Sequence, residues 1–354
     1  MNKLFSWAFG NRAPAGAGGP QKHISLALQG GGAHGAFTWG VLDQLLEDGR
    51  LAIDGISGAS AGAVNAVMLA DGLVRGGVQE ARKRLADFWR AASIGGNLPE
   101  LQRHVVERLS RAVPLGGSPM KDWLHTMGGL LSPSELNPLN INPLKQLIER
   151  YVDFAAIRAD TSREIFISAT NVRTGDLRIF TRAEITAEAV MASACLPLVF
   201  RAVEIDGVPY WDGGYVGNPP LLPFLQTKDT DLLIVQVYPQ MRQRTPETTR
   251  EIMSRASEIS FNAPLLAELR AIDLIQRRDE ERGAGRRLRL HRVALEELDE
   301  AFDSASRLHN GYEFFDKLRQ LGQAAARRFL DAYFEDIGRR GSIDLKAEAG
   351  AERA

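Results

Sequence analysis

From Ile24 the chain alternates apolar and small polar positions through Leu28 and then runs into Gly30-Gly31-Gly32. That is the pattern of a strand ending in a tight turn. Phe37, Val41, Leu42, Leu45 and Leu46 follow at helical spacing, and the pattern stops at Gly49, a natural helix C-terminal glycine. Residues 51–57 read as a second strand, followed by a small-residue helix carrying Val64, Val67, Met68 and Leu69. Strand, helix, strand, helix in so short a span predicts a parallel sheet with crossover helices.

Further along, residues 78–92 form an amphipathic helix with Leu85, Phe88 and Trp89 on the inward face. The stretch from about 95 to 144 mixes prolines with Met120, Trp123, Leu124, Met127 and Leu130, and reads equally as a cap over an apolar substrate or as a packed insertion. Regular patterning returns in strands at 164–170 and 177–180, joined by a turn at 171–176. A helix at 187–194 precedes a hairpin at 203–211 turning on Asp206-Gly207, and residues 231–238 make a buried strand. The remainder reads as helical, with a long amphipathic stretch at 311–337. The expected fold is therefore an α/β three-layer sandwich, a mainly parallel central sheet flanked by helices, with a helical insertion and a helical C-terminal extension. Its divisions are a flexible leader at 1–22, a domain at 23–226 holding the insertion, a final strand and helical region at 227–340 packed on it, and a polar tail at 341–354.

Composition narrows the function rather than the fold. With 44% hydrophobic and 25% charged residues the 354-residue chain is globular in character, which sets aside general disorder and coiled-coil architectures. Lys plus Arg is 43 against 44 for Asp plus Glu, so the net charge of −1 argues for no nucleic-acid partner. A single cysteine, Cys195, excludes an internal disulfide framework and a cysteine-based zinc site, and its apolar neighbours favour packing over reactivity. No metal or cofactor site stands out. The first nine residues match a secretory signal poorly, no run reaches the length of a spanning helix, and a cytoplasmic location with peripheral membrane contact is the expectation. The basic stretch between Arg277 and Arg292 is interrupted by Asp279, Glu280 and Glu281 and reads as a solvated helix face.

Two glycine-rich turns carry the candidate chemistry. Gly58-Ala59-Ser60-Ala61-Gly62 is a G-x-S-x-G pentapeptide between the second strand and its helix, where Gly58 and Gly62 give room for a tight turn and the hydroxyl is lifted to a helix N-terminus. Gly30-Gly31-Gly32-Ala33-His34-Gly35 lets successive N–H groups face one small volume, which suits an oxyanion or a phosphate. A dinucleotide site would want an acid at the end of the second strand, and Ser57-Gly58-Ala59-Ser60 stands there instead. Of six histidines, His104, His125, His291 and His309 lie in surface or structural contexts, so no histidine base suggests itself. Asp212-Gly213-Gly214 taken alone is an ordinary turn, although a carboxylate in reach of Ser60 could take its proton.

Together, and in this order, the glycine turn, the serine pentapeptide and Asp212-Gly213-Gly214 resemble the patatin-like phospholipase family over roughly residues 24–225. Ala192-Ser193-Ala194-Cys195-Leu196-Pro197 is similar to the family's A-S-x-x-x-P block, Asn218-Pro219-Pro220 also fits, and residues 134–144 are similar to a segment of a bacterial branch. The resemblance implies a lipid acyl ester hydrolase of phospholipase or lysophospholipase type without a cofactor. In it Ser60 is the nucleophile, Asp212 the base, and Gly30, Gly31, Gly32 and Gly35 shape the oxyanion hole. Its substrate would be a lipid or another hydrophobic ester. The family commonly has Arg or Lys where this chain has His34, which gives His34 an electrostatic role and predicts activity favoured on the acid side. The alternatives are a non-catalytic lipid-binding protein and a nucleotide-binding protein using the glycine loop. The sequence sets no oligomeric state, and hydrolysis and acyl transfer would use the same residues.

Overall fold

The structure, a computed structural model, describes residues 21–93, 142–197, 200–228, 230–242, 244–283, 287–295 and 311–345. Residues 1–20 of the leader, nearly all of the apolar insertion, most of the polar tail, and His104, His125 and His309 lie outside the described residues. The strands are β1 (Lys22–Leu28), β2 (Leu51–Gly58), β3 (Glu164–Asn171), β4 (Leu177–Thr181), β5 (Val203–Ile205), β6 (Val208–Asp212), β7 (Asp231–Gln236) and β8 (Arg289–Ala294). The helices are α1 (Gly35–Asp48), α2 (Ala61–Ala91), α3 (Pro143–Tyr151), α4 (Phe154–Ala159), α5 (Ala187–Ser193), α6 (Thr249–Glu281) and α7 (Tyr312–Tyr333).

The eight strands form one sheet in the order β5-β6-β3-β2-β1-β7-β8, with β4 also paired to β3. Pairs β1–β2, β1–β7, β2–β3 and β7–β8 are parallel, while β3–β4, β3–β6 and β5–β6 are antiparallel. Central strands of such a sheet are buried on both faces and read as unbroken apolar runs. In β7, Leu233 and Val235 enter one core with Leu26, Leu28 and Ile56, beneath α1, α2 and α7. Leu232 and Ile234 enter a second core with Ala27, Leu265, Leu269 and Ile272 of α6. The result is the three-layer sandwich expected from the pattern.

Helix α7 packs on α1 because two glycines remove the side chains that would hold them apart. A Cβ at Gly40 would collide with the backbone of Arg319, and one at Gly322 with the carbonyl of Phe37. The two helical segments expected around 64–69 and 78–92 are the two arms of α2, separated at Gly77, whose φ 70° and ψ −157° are non-helical.

The basic stretch departs from expectation. Residues 289–294 are the edge strand β8 rather than a helix face. Leu290, His291 and Val293 are buried, and Arg289 and Arg292 beside them obscure the alternation; such charges blunt an exposed sheet edge. Arg289 donates from Nε and Nη2 to the Asp231 carboxylate at 3.0 and 2.6 Å, and buried His291 Nε2 lies 3.1 Å from Asp231 Oδ1. Burial alone would raise the Asp231 pKa. The hydrogen bonds from His291, Arg289 and the Gly338 amide instead hold it well below the usual carboxylate range. His291 is thereby a structural residue, as its sequence context suggested.

Candidate active site

Parallel strands deliver their loops to one edge of the sheet, and the two glycine-rich turns follow adjacent strands β1 and β2. Leu28 is paired with Gly58 at the ends of those strands, so the turns start side by side. The Ala59 amide donates to Leu28 O at 3.3 Å across the gap. An ideal Cβ on Gly30 would stand 2.6 Å from Ala59 O and 2.7 Å from Ser60 Cβ, so only glycine allows this approach. Gly58 and Gly62 serve the same turn: a Cβ on Gly58 would meet Gly62 at 2.6 Å, and one on Gly62 would collide with Leu28 O.

Ser60 itself takes φ 52° and ψ −122°, a backbone conformation that L-residues rarely adopt. The turn is closed by Gly62 N–H donating to Ala59 O at 2.7 Å. It is tied from outside by the Ser60 amide, which donates to Ser193 Oγ at 2.9 Å. Ser193 is buried at the end of α5, inside the A-S-x-x-x-P block. Helix α2 begins at Ala61, so the hydroxyl sits at the positive end of a long helix dipole.

Register explains how Asp212 reaches this turn. Phe166 of β3 pairs with Ser57 of β2 on one edge and with Thr181 of β4 on the other. Ala169 pairs with Arg178 of β4 and with Asp212 of β6, which puts β6 on the same edge as β2. Gly58 lies opposite Ile167, so Asp212 enters two residues further along β3, just past the point where β2 turns away into the serine turn. Its backbone is fixed by donation from Asp212 N–H to Cys195 O at 2.8 Å and from Thr170 Oγ1 to Asp212 O at 2.7 Å.

The Asp212 carboxyl is fully buried. Burial pushes its pKa up to about 6, against the opposing pull of the Ser60 hydroxyl and the Gly214 amide. Oδ1 accepts from Gly214 N–H at 2.7 Å. Oδ2 makes no hydrogen bond of full geometry among the described residues, which leaves an acceptor in reserve beside the serine.

The glycine loop is partly committed. Gly30 N–H donates to Asn218 Oδ1 at 2.7 Å, and Gly35 N–H is turned back into the loop, toward Gly32 O and Ala33 O. Both amides thus have partners within the protein, and a Cβ on Gly30 or Gly35 would stand under 3 Å from the serine turn. Gly32 takes φ 58°. His34 is buried, its ring centroid 6.3 Å from that of Phe314.

Beneath the loop lies a polar lattice that the sequence did not announce. Gln29 Oε1 accepts from Val237 N–H and Tyr238 N–H at 2.8 and 3.0 Å, and its Nε2 donates to Asn262 Oδ1 at 2.9 Å. Asn262 Nδ2 donates to Pro239 O at 3.1 Å, and Asn218 Nδ2 donates to Phe261 O at 3.1 Å. Helix α6 is thus wired to the glycine loop. The available signals were the asparagine of N-P-P and a lone asparagine inside an apolar helical run.

Among the described residues no group of three or more His, Cys, Asp or Glu side chains could hold a metal ion. Among them also, no helix is long and apolar enough to cross a membrane.

A family model, patatin-like phospholipase, matches residues 26–225, more than half of the chain. The chain belongs to that family. Membership in the patatin-like phospholipase family makes it a lipid hydrolase by class, with a lipid as substrate. No curated protein matches it. Similar solved structures include VipD from Legionella pneumophila, at 16% identity and TM-score 0.39, over 85% of this chain and 67% of that one. The type III effector ExoU is similar at 16% identity and TM-score 0.34, over 87% of this chain and 53% of that one. The ExoU–SpcU heterodimer from Pseudomonas aeruginosa matches at 19% identity and TM-score 0.31, over 94% and 76%. The patatin-like chain spans about half the length of the ExoU chain it matches.

Proposed function

We propose that this patatin-like chain hydrolyses lipid acyl esters, of phospholipase or lysophospholipase type, with Ser60 as nucleophile and Asp212 as its only base. The observation that carries the reading is the serine turn itself: Ser60 at φ 52° on the N-terminus of α2, beside a buried carboxylate with an unfilled oxygen.

In the first step Asp212 takes the hydroxyl proton while Ser60 Oγ bonds to the ester carbonyl carbon. The C–O bond to the leaving alcohol then breaks, and the proton passes from Asp212 to that alcohol's oxygen. The serine ester remains. Asp212 next takes a proton from water, which attacks the acyl carbon and releases the fatty acid, and the proton returns to Ser60 Oγ. With Gly30 and Gly35 engaged elsewhere, the oxyanion falls to the Gly31 and Gly32 amides and to the N-terminal end of α2.

A base must be ionised to act. The raised Asp212 pKa supports activity that falls away below a pH of about 6, opposite in sign to the dependence that a charged His34 would give.

The experiment is labelling of the full chain with a fluorophosphonate probe, mapped by peptide mass, beside Ser60→Ala and Asp212→Asn. Label at Ser60, lost in both variants and rising through a pH of about 6 in wild type, is the expected result. Label elsewhere, or at Ser60 undiminished in Asp212→Asn, overturns the dyad.

A further inference from the structure

Helix α6 buries polar side chains beside the apolar Leu265, Leu269 and Ile272. Its inward face carries Ser254, Glu258, Asn262, Glu268, Asp273 and Gln276, all buried. These polar groups have partners. Arg242 and Arg255 donate to the Glu258 carboxylate at 2.6 and 3.2 Å. Glu268 Oε2 accepts from Leu221 N–H and Leu222 N–H at 2.6 and 2.8 Å, and Gln276 Nε2 donates to Leu288 O at 3.1 Å.

Part of its outward face is apolar. Between Ile252 and Ala267 the exposed positions of the helix are Ile252, Met253, Ala256, Ile259, Ser260, Ala263 and Ala267, which follow helical spacing without one charge. Ile252, Met253 and Ile259 are 50%, 53% and 54% exposed. Met241, at 72%, stands next to Gln240 and Arg242, which hold Arg255 and Glu258 of the same helix. Scattered exposed apolar residues need no explanation, but a continuous stripe at helical period marks a surface that meets something apolar.

Position says what. Phe261, on the same helix, lies against the catalytic loop: a Cβ on Gly214 would stand 2.6 Å from its ring, and Tyr215, itself 44% exposed, has its ring centroid 5.2 Å away. Asn262 beside it braces the glycine loop through Gln29. The stripe is therefore continuous with the mouth of a site that takes lipid esters. Arg242 and Arg255 share the Glu258 carboxylate, and no exposed position of the helix from Ile252 to Ala267 is charged, so the stripe itself offers apolar contact rather than a cationic one.

We propose that the outward face of α6, from Ile252 to Ala267 together with Met241 and Tyr215, docks the enzyme on the acyl region of a lipid surface and presents the Ser60 mouth to it. The proposal rests on the lipid ester hydrolase reading above. Because the face lacks charge, docking is insensitive to salt and does not require anionic lipid.

The test is flotation of the full chain with phosphatidylcholine vesicles at low and high salt, alongside an Ile252→Gln/Ile259→Gln variant and Ser60→Ala. Thermal melting and hydrolysis of a monomeric short-chain ester check that the site is intact. Wild type and Ser60→Ala are expected to float equally at both salt levels. The double variant should lose vesicle binding by about tenfold or more, and vesicle-substrate turnover with it, while its short-ester activity is unchanged. The proposal is overturned if the double variant floats like wild type, or if wild type does not float. It is equally overturned if high salt abolishes binding, if wild type floats only once anionic lipid is added to the vesicles, or if the substitutions dissolve a dimer instead. If wild type floats through these isoleucines but hydrolyses no ester, the docking surface stands and the hydrolase reading fails.

Discussion

Replacing Asp212 by Asn separates the stability of the protein from its chemistry. The carboxyl is fully buried and its pKa is pushed by burial from 3.8 to about 6. Between those values the folded state holds a proton that the unfolded chain has released. Wild-type stability must therefore fall as pH rises through this window and level off above it. At about 1.4 kcal/mol for each tenfold change in proton affinity, the shift amounts to about 3 kcal/mol of stability given up at neutral pH to keep Asp212 charged. Asn also introduces N–H groups where Oδ2 makes no standard hydrogen bond, which adds a cost independent of pH. The informative quantity is consequently the difference in unfolding free energy between variant and wild type, followed by urea titration from about pH 4 to about pH 8. It should move in favour of the variant by about 2 kcal/mol across that range, whatever its starting offset. A difference that stays flat with pH would show that Asp212 ionises as an ordinary carboxylate and would refute the account of its burial.

Three further outcomes follow from the same geometry. Gly30→Ala puts a methyl group 2.7 Å from Ser60 Cβ and should cut fluorophosphonate labelling by about 100-fold while circular dichroism stays native. Ser193→Ala removes the acceptor of the Ser60 amide, and we expect kcat to fall with little change in KM, together with a loss of about 1–2 kcal/mol in chemical denaturation. Burial pushes the Cys195 thiol up to about 11, so an aromatic disulfide reagent should leave the native protein unmodified and react only as denaturant unfolds it.

What could be read from the sequence was local. Strand β1 with its glycine turn and β2 with its serine turn each fit within a few consecutive residues, where small side chains and periodicity speak for themselves. Ser60 and the kink-free start of α2 were legible for that reason. Asp212 was not identifiable from its own surroundings; it acquires meaning from the register that sets β6 on the edge of β3 vacated by β2. The ties from Ser193 to Ser60 and from Asn218 to Gly30 span long stretches of chain; their residues were marked by the A-S-x-x-x-P block and by Asn218-Pro219-Pro220, but not their partners. Strand β8 was concealed by arginines that suit an edge strand as well as a helix surface. The apolar outward stripe of α6 was invisible for a related reason: periodicity identifies a helix but does not say which of its faces turns inward.

The site concentrates two unfavourable features that folding alone would remove. Ser60 holds a backbone conformation costing about 1–3 kcal/mol, and Asp212 is kept where ionisation is opposed. Each is confined by hydrogen bonds to backbone atoms rather than by side-chain packing. Ser193 fixes the Ser60 amide, Cys195 O and Thr170 Oγ1 fix the Asp212 main chain, and Asn218 fixes the Gly30 amide. Such restraints leave the reactive oxygen atoms uncommitted while removing the motions through which the strain could relax. A substitution at any of these partners should therefore lower activity more than it lowers stability, since relaxing the turn recovers part of the energy lost with the hydrogen bond. The opposite ordering is expected in the Asp231–Arg289–His291 cluster at the far end of β7, where nothing is strained and every bond serves the fold.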